Sequence, residues 1–316
     1  MMLRVLTYHR VANLQDSPLL HPQIISATPE NFSRQMRFLA KNYQVVSLAQ
    51  AFNSIEKKAP LPPRAVLITF DDAYYDFATI AWPILKSLKL AATLFVPTAY
   101  PDQPERAFWW DRLHCAFKQT TRVELKGTPL GDLSLADATA RQHGLRRVQN
   151  YIKTISHSEA MAFVDEICAR LDSKPLAQKS VLSWNELRQL AKEGVALCAH
   201  TQTHPIMTQL SREEVRREVA GSQSDLQREI GEALPIFCYP SGSHDDTVVD
   251  VLKEEGFTMA FTTLKGQNDL RTVDPLRLRR TNMTRRTSLP IFRLRLLRFG
   301  AYLDRWRQKR RLKKLR

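Results

Sequence analysis

The chain has 316 residues, 43% of them hydrophobic, and a formal net charge of +15. That length and composition exclude disorder as the main state and suffice for one large core or two small ones. No apolar run approaches the ~18 residues of a membrane-spanning helix. Residues 1–9 turn polar too soon for the apolar stretch of a secretory signal, so export by that route is not expected. The charge is uneven: residues 285–316 hold thirteen Lys or Arg against one acid, Asp304, and so carry +12, which leaves +3 for everything before. The four cysteines, Cys115, Cys168, Cys198 and Cys238, lack metal-type spacing and do not suggest a disulfide framework; Cys198 and Cys238, in apolar strand-like runs, read as small buried thiols of a reducing compartment.

In chain order, short apolar runs predict strands over 3–8, 65–70, 91–96, 195–199, 235–239, 258–262 and 277–281, alternating with amphipathic stretches. Thr28-Pro29-Glu30 and Ser183-Trp184-Asn185-Glu186 have helix N-cap character. After the third strand the rhythm breaks. Residues 101–181 open with "AFWWDRLH" and show helical patterns over 145–155 and 159–171, which reads as a helical insertion. Ser211-Arg212-Glu213-Glu214 is a capping box that opens a long charged helix toward Glu229. Gly194 and Gly256 stand where a helix should stop before a strand begins. Such joints favour parallel strands, either closed into a barrel or wound as an open sheet. From Pro290 onward Phe292, Leu296, Phe299, Leu303 and Trp306 recur at helical spacing. This basic tail, 285–316, can lie on an anionic membrane surface, each Lys or Arg contributing roughly 1 kcal/mol; the alternative is a docked helix with a basic end. Nucleic-acid binding is not expected, because no reading motif accompanies the charge.

Polar residues collect where the strands end. His9 follows the first strand, Asp71 and Asp72 the second, His200 the fourth, and Tyr239-Pro240-Ser241 the fifth. The carboxyl ends of strands are where barrels and open α/β sheets place their sites. Two adjacent acids at the end of an apolar run repel each other and are costly to desolvate, which points to a cation between or beside them. His200 and His204, four residues apart, can aim two imidazoles at one point. Two His and one carboxylate are a recurring set for catalytic zinc and related divalent ions.

"TFDDA" resembles the first motif of the metal-dependent polysaccharide deacetylases, the NodB-homology carbohydrate esterases. "HTQTHP" resembles their second motif, H-[ST]-x-x-H-P, and the similarity runs through most of residues 1–284, excepting the insertion. The resemblance implies a distorted (β/α) barrel of about seven parallel strands that removes an N-acetyl group from an amino sugar. It implies Asp72, His200 and His204 as ligands of a divalent metal, zinc foremost and Co, Ni or Mn as alternatives, with Asp71 as general base. It places the third motif at "FCYPSG", where the amide of Ser241 and the neighbouring Tyr239 would serve the substrate or its oxyanion. Two departures stand out. The family's Arg before Pro-Tyr is replaced by a Tyr-Pro-x-Gly variant, and its late Leu-x-x-His acid is replaced by Leu276-Arg277-Leu278-Arg279. We therefore expect Arg280 to support the base and His9 to donate the proton to the leaving amine. His244 is expected to cap a helix with Asp245 and Asp246, and Trp109 and Trp110 either stack on sugar or pack within the insertion. The expected partner is an N-acetylated sugar or glycan, free or lipid-linked, met in the cytoplasm or at the inner membrane face. The competing readings are a deacylase or deformylase of another amide or ester, and a catalytically impaired carbohydrate-binding relative.

Overall fold

The computed structural model describes residues 1–174 and 179–297. All seven expected strands form: β1 (Met2–Tyr8), β2 (Ala65–Phe70), β3 (Thr93–Val96), β4 (Ala196–Ala199), β5 (Ile236–Cys238), β6 (Met259–Lys265) and β7 (Leu278–Asn282). Each pairs in parallel with the next, and β7 pairs in parallel with β1, so the sheet closes into the expected barrel. Gly194 (φ 94°) and Gly256 (φ 79°) occupy the helix-to-strand joints in the left-handed conformation that only glycine adopts without strain.

Strand parity organises everything else. Side chains alternate between the two faces of a strand, so Leu3, Val5, Leu67, Phe95, Cys198, Cys238, Phe261 and Leu278 fill the barrel interior as one cluster. Their neighbours Leu6, Val66, Ile68, Leu94, Leu197, Phe237 and Ala260 face outward and join the helices in a second cluster. The outer layer includes α1 (Pro29–Asn42), α3 (Trp82–Ser87), α7 (Trp184–Lys192), α8 (Arg212–Ile230) and α9 (Asp246–Glu254), while α2 (Leu48–Glu56) adds Leu48, Ala51 and Ile55 to the interior cluster. Helix α1 shows why these helices form. Thr28 caps its start, Pro29 sits in its first turn, and Phe32, Met36 and Leu39 are buried at helical spacing, each contributing on the order of 1.5–3 kcal/mol. The capping box of Ser211 and Glu214 opens α8 as expected.

Between β3 and β4 the chain builds α4 (Trp109–Gln119), α5 (Ala138–Ile152) and α6 (His157–Arg170) around their own apolar cluster, with Leu113, Phe117, Val148, Val164 and Ile167 at its centre. The sequence reading of this segment as helical missed a hairpin, Glu124–Thr128 paired with Gly131–Ser134. Its strands are short and mostly exposed, so no apolar run announces them; the signal available was the Thr-Pro-Leu-Gly turn. Beyond β7, α10 (Leu289–Leu296) turns Phe292 and Leu296 into the core, where Phe292 meets Phe38 of α1 edge-on. Ile291, Leu294 and Leu297 are left exposed. Phe299, Leu303 and Trp306, the rest of the expected stripe, lie outside the described residues. No helix among the described residues is long and apolar enough to cross a membrane.

Candidate active site

The interior row of each strand turns polar as it nears the carboxyl end. Above Val5 comes Thr7 and then His9; above Leu67 come Thr69 and Asp71; above Cys198 comes His200; above Leu278 comes Arg280. One period-two rule therefore delivers a carboxylate, two imidazoles and a guanidinium into the same mouth of the barrel.

Asp71 and Arg280 form a fully buried, bidentate pair. Nη1 donates to Oδ1 at 2.7 Å and Nη2 to Oδ2 at 2.8 Å, while Nε donates to the carbonyl of Thr262 at 2.8 Å. The side chain of Arg280 is completely enclosed. Burial pushes the Asp71 carboxyl up, but the Arg280 guanidinium outweighs it, helped by His200 and His9, and holds the carboxyl below its ordinary value. Asp71 is thus an ionised, oriented carboxylate in a dry setting. His9 Nε2 stands 4.0 Å from Asp71 Oδ2, and its side chain is 28% exposed, at the open rim of the same pocket.

Asp72 faces a different set. Its residue has φ 73°, and Ala73 follows with φ 49°; this left-handed turn swings Asp72 away from the direction strand parity would give it. Oδ1 of Asp72 then lies 3.4 Å from His200 Nε2 and 3.3 Å from His204 Nε2. That oxygen is buried with no well-formed hydrogen bond among the described residues. Burial works to raise the Asp72 carboxyl, yet the two imidazoles hold it well below the usual range. Nδ1 of His200 donates to the Cys238 carbonyl at 2.7 Å, which fixes the ring so that Nε2 is the atom facing Asp72. Donor atoms bound tetrahedrally to zinc at about 2.0–2.1 Å stand roughly 3.3 Å apart. The spacing found around the orphaned oxygen of Asp72 is that spacing, and the one-carboxylate, two-imidazole set suits such an ion. A second grouping, Asp71, His200 and Cys238, also converges. It suits an ion less well, because Arg280 binds both oxygens of Asp71 and burial pushes the Cys238 thiol up.

The loop that carries both histidines is strained and tightly held. Thr201 (φ 65°) and His204 (φ 60°) take left-handed conformations rare for side-chain-bearing residues. Glu218 on α8 accepts hydrogen bonds from the backbone N–H groups of Gln202 at 2.7 Å and Thr203 at 2.9 Å, and Thr201 Oγ1 accepts from the His204 N–H at 3.0 Å. Phe108 and Trp110, at the start of α4, set their rings edge-on to His204 at 5.7 and 4.8 Å. Trp110 Nε1 donates to the Tyr74 hydroxyl, which donates in turn to Asp111, and Asp111 faces Arg10 at 3.7 Å. Trp110 therefore buttresses a putting-forward of His204 toward Asp72, while Trp109 packs against the insertion's own core. Glu218, Tyr74, Asp111 and Arg10 were invisible to sequence reasoning, since each acts across the fold on a neighbour distant in the chain.

The third motif makes a tight turn. Ser241 has φ 54°, and the hydrogen bonds of the turn run from the Gly242 N–H to Tyr239 and from the Ser243 N–H to Pro240, which leaves the Ser241 N–H outside that set. Gly242, with φ 72°, has its α-carbon against the Thr263 backbone, where a Cβ would come within 2.6 Å of the nitrogen. Tyr239 belongs to the outward-facing parity of β5. Its hydroxyl donates to the Leu276 carbonyl at 3.0 Å and its N–H to the Phe261 carbonyl at 3.0 Å, so both of its donors serve the scaffold. His244 does not cap α9: Asp245 does, accepting from the Val248 N–H, while the His244 ring stacks on Tyr239 at 5.0 Å.

Comparison with known proteins agrees with this geometry. A family model for polysaccharide deacetylase matches residues 58–260, well over half of the chain. The Bacillus subtilis protein YxkH, itself assigned to the polysaccharide deacetylases, is 20% identical over 265 residues, covering 84% of this chain and 65% of that one. A segment of 83 residues is 34% identical to the poly-beta-1,6-N-acetyl-D-glucosamine N-deacetylase of Escherichia coli K12, but spans 26% of this chain and only 12% of the relative. Among solved structures, the Streptococcus pyogenes deacetylase PplD in complex with acetate superposes with a TM-score of 0.64 at 17% identity, covering 94% of this chain and 99% of that one. A de-N-acetylase from Aggregatibacter actinomycetemcomitans superposes with a TM-score of 0.62 at 18% identity, covering 94% and 100%. With the closed seven-strand barrel, both sequence motifs and the family match in agreement, the chain belongs to the polysaccharide deacetylase family.

Proposed function

We propose that this chain hydrolyses the N-acetyl group of an amino sugar within a glycan or a glycan precursor, with a divalent cation held by Asp72, His200 and His204. The observation that carries the reading is the contrast between neighbours: Asp71 is neutralised by Arg280, while the buried Oδ1 of Asp72 faces the Nε2 atoms of His200 and His204 without a well-formed hydrogen bond of its own. When bound, an ion of this kind lowers the pKa of water and polarises the amide carbonyl. Asp71, kept ionised by Arg280, accepts a proton from the attacking water. The Ser241 N–H, outside the hydrogen bonds of its turn, donates to the developing oxyanion. His9, half-open to solvent at the rim beside Asp71, supplies a proton to the departing amine. The aromatic wall of Phe108 and Trp110 keeps His204 dry and fixed in orientation.

The test is acetate release from N-acetylated oligosaccharides, β-1,6-linked N-acetylglucosamine oligomers among them, by protein stripped with a chelator and then given zinc. Restoration of turnover by the ion supports the proposal, and turnover that survives stripping contradicts it. The proposal also sets the protein at the inner face of a membrane, supported by the +12 carried by residues 285–316. Truncation after Leu297, which keeps the core residues Phe292 and Leu296, should then move it from the membrane fraction of cells to the supernatant, and a full-length chain found only in the supernatant would refute that setting.

A further inference from the structure

Beside the reactive mouth lies a cleft of about 830 Å³, formed where α4 and α5 of the insertion face the segment after β7 and the loop after β1. Its walls carry Lys118 from α4, Arg141 and Arg146 from α5, and Arg285 and Arg286 from the post-β7 segment, and no Asp or Glu lines it. Among the described residues, none of these five cations takes part in an ion pair. Arg141 Nε donates to the Leu135 carbonyl and Lys118 Nζ to that of Pro18, bonds that place the side chains without neutralising them. Three of them, Lys118, Arg141 and Arg146, belong to residues 1–284, whose net charge is only +3, and the other two open the basic segment 285–316. Like charges facing one cavity repel and destabilise the folded state unless something offsets them.

The cleft adjoins the reactive centre through a short chain of bonds. Ile25 lines it, and the Arg285 N–H donates to the Ile25 carbonyl at 3.0 Å. The next residue, Ser26, accepts from the His9 N–H at 2.9 Å, and His9 is 4.0 Å from Asp71. The segment carrying Arg285 is tied to β1 as well, by the Met283 N–H on the Thr7 carbonyl at 2.9 Å. An anion in the cleft would therefore sit next to a sugar presented at the mouth, on its His9 side.

We infer that this cleft binds a phosphoryl or diphosphoryl group attached to the amino sugar, so that the substrate is a phosphate-linked sugar rather than a neutral polymer. The inference rests on the deacetylase reading for its sugar. Four of the five cations are arginines, whose planar forks match phosphate oxygens two at a time. A single carboxylate would leave most of the positive charge without a counterpart, whereas a diphosphate with its several charges does not. The volume is far more than one phosphate needs, and within the range of sites that enclose a whole small molecule.

The decisive experiment uses the full chain loaded with zinc and compares acetate release from N-acetylglucosamine as a neutral alkyl glycoside, as the 1-phosphate and as a short prenyl diphosphate. We expect the phosphorylated forms to be preferred through KM by about tenfold or more, the scale of one or two charge-assisted hydrogen bonds. The triple variant Arg146→Gln, Arg285→Gln, Arg286→Gln should lose that preference while keeping its rate on the neutral glycoside, which also shows it folded. Preference for the 1-phosphate and diphosphate alike would mark phosphate itself as the ligand; preference for the prenyl form alone would mark a lipid-borne source. No preference in the wild type, or equal losses on all three substrates in the variant, overturns the inference. A second measurement separates it from the deacetylase reading: calorimetric binding of inorganic pyrophosphate, which needs no turnover. Binding that the triple variant loses and added salt weakens supports the cleft even if no acetate is released, and a wild type that does not bind pyrophosphate refutes it.

Discussion

The two sides of the reactive mouth solve one problem in opposite ways. Asp71 and Asp72 are adjacent and buried, yet Asp71 is neutralised by a permanent guanidinium, whereas the unpartnered oxygen of Asp72 has only the Nε2 atoms of His200 and His204 beside it. The Arg280 side is complete as the chain folds. The histidine side would have its carboxylate offset by the cation proposed above. A hydrolase that needs both an oriented base and an exchangeable ion is served by this division, because neither function competes for the other's partner.

The largest effect should come from breaking the permanent side. Arg280→Met leaves Asp71 buried without its counter-charge, and loss of one partner of a buried pair costs about 3–5 kcal/mol of stability, measurable by denaturant unfolding. The sign of the accompanying pH effect is fixed. Arg280 lowers the Asp71 carboxyl against burial, so its removal raises it, and the acidic limb of the rate profile should move to higher pH. Asp71→Asn comes next: turnover should fall by about 10²–10⁴-fold while zinc still binds, the range typical of a lost general base. His9→Ala should cost less, on the order of 10²-fold, and should flatten the basic limb of the profile; an unchanged basic limb would remove His9 from the proton-transfer role. The smallest change is expected at the buttress. Trp110→Leu should weaken zinc binding by about tenfold, as losses of outer support around a metal do, with kcat on saturating zinc little altered.

Much of this could be read from residues alone, and the reason is periodicity. Apolar runs punctuated by glycine located all seven barrel strands, and the helix-Gly-strand joints implied their parallel order. The motifs around Asp71 and His200 were legible because polar residues that converge on one site sit at fixed offsets after strands. Arg280 was legible because it lies near the end of the last strand, and its interior parity in β7 carries it to Asp71. The same parity was available for Tyr239, and applying it would have turned that side chain toward the helices and Leu276. The hairpin at 124–134 escaped because its strands bury little. Glu218, Tyr74 and Asp111 escaped for another reason: they act through contacts between elements far apart in the chain, and no spacing encodes such a meeting. The basic cleft is of that kind too, its five cations coming from three separate segments.

The division of labour between the two carboxylates is tested most directly by counting bound zinc in chelator-stripped, reconstituted protein for the wild type, Asp71→Asn and Asp72→Asn. One ion in the wild type, one in Asp71→Asn and none in Asp72→Asn is the predicted result. An ion lost from Asp71→Asn but retained by Asp72→Asn would contradict the account.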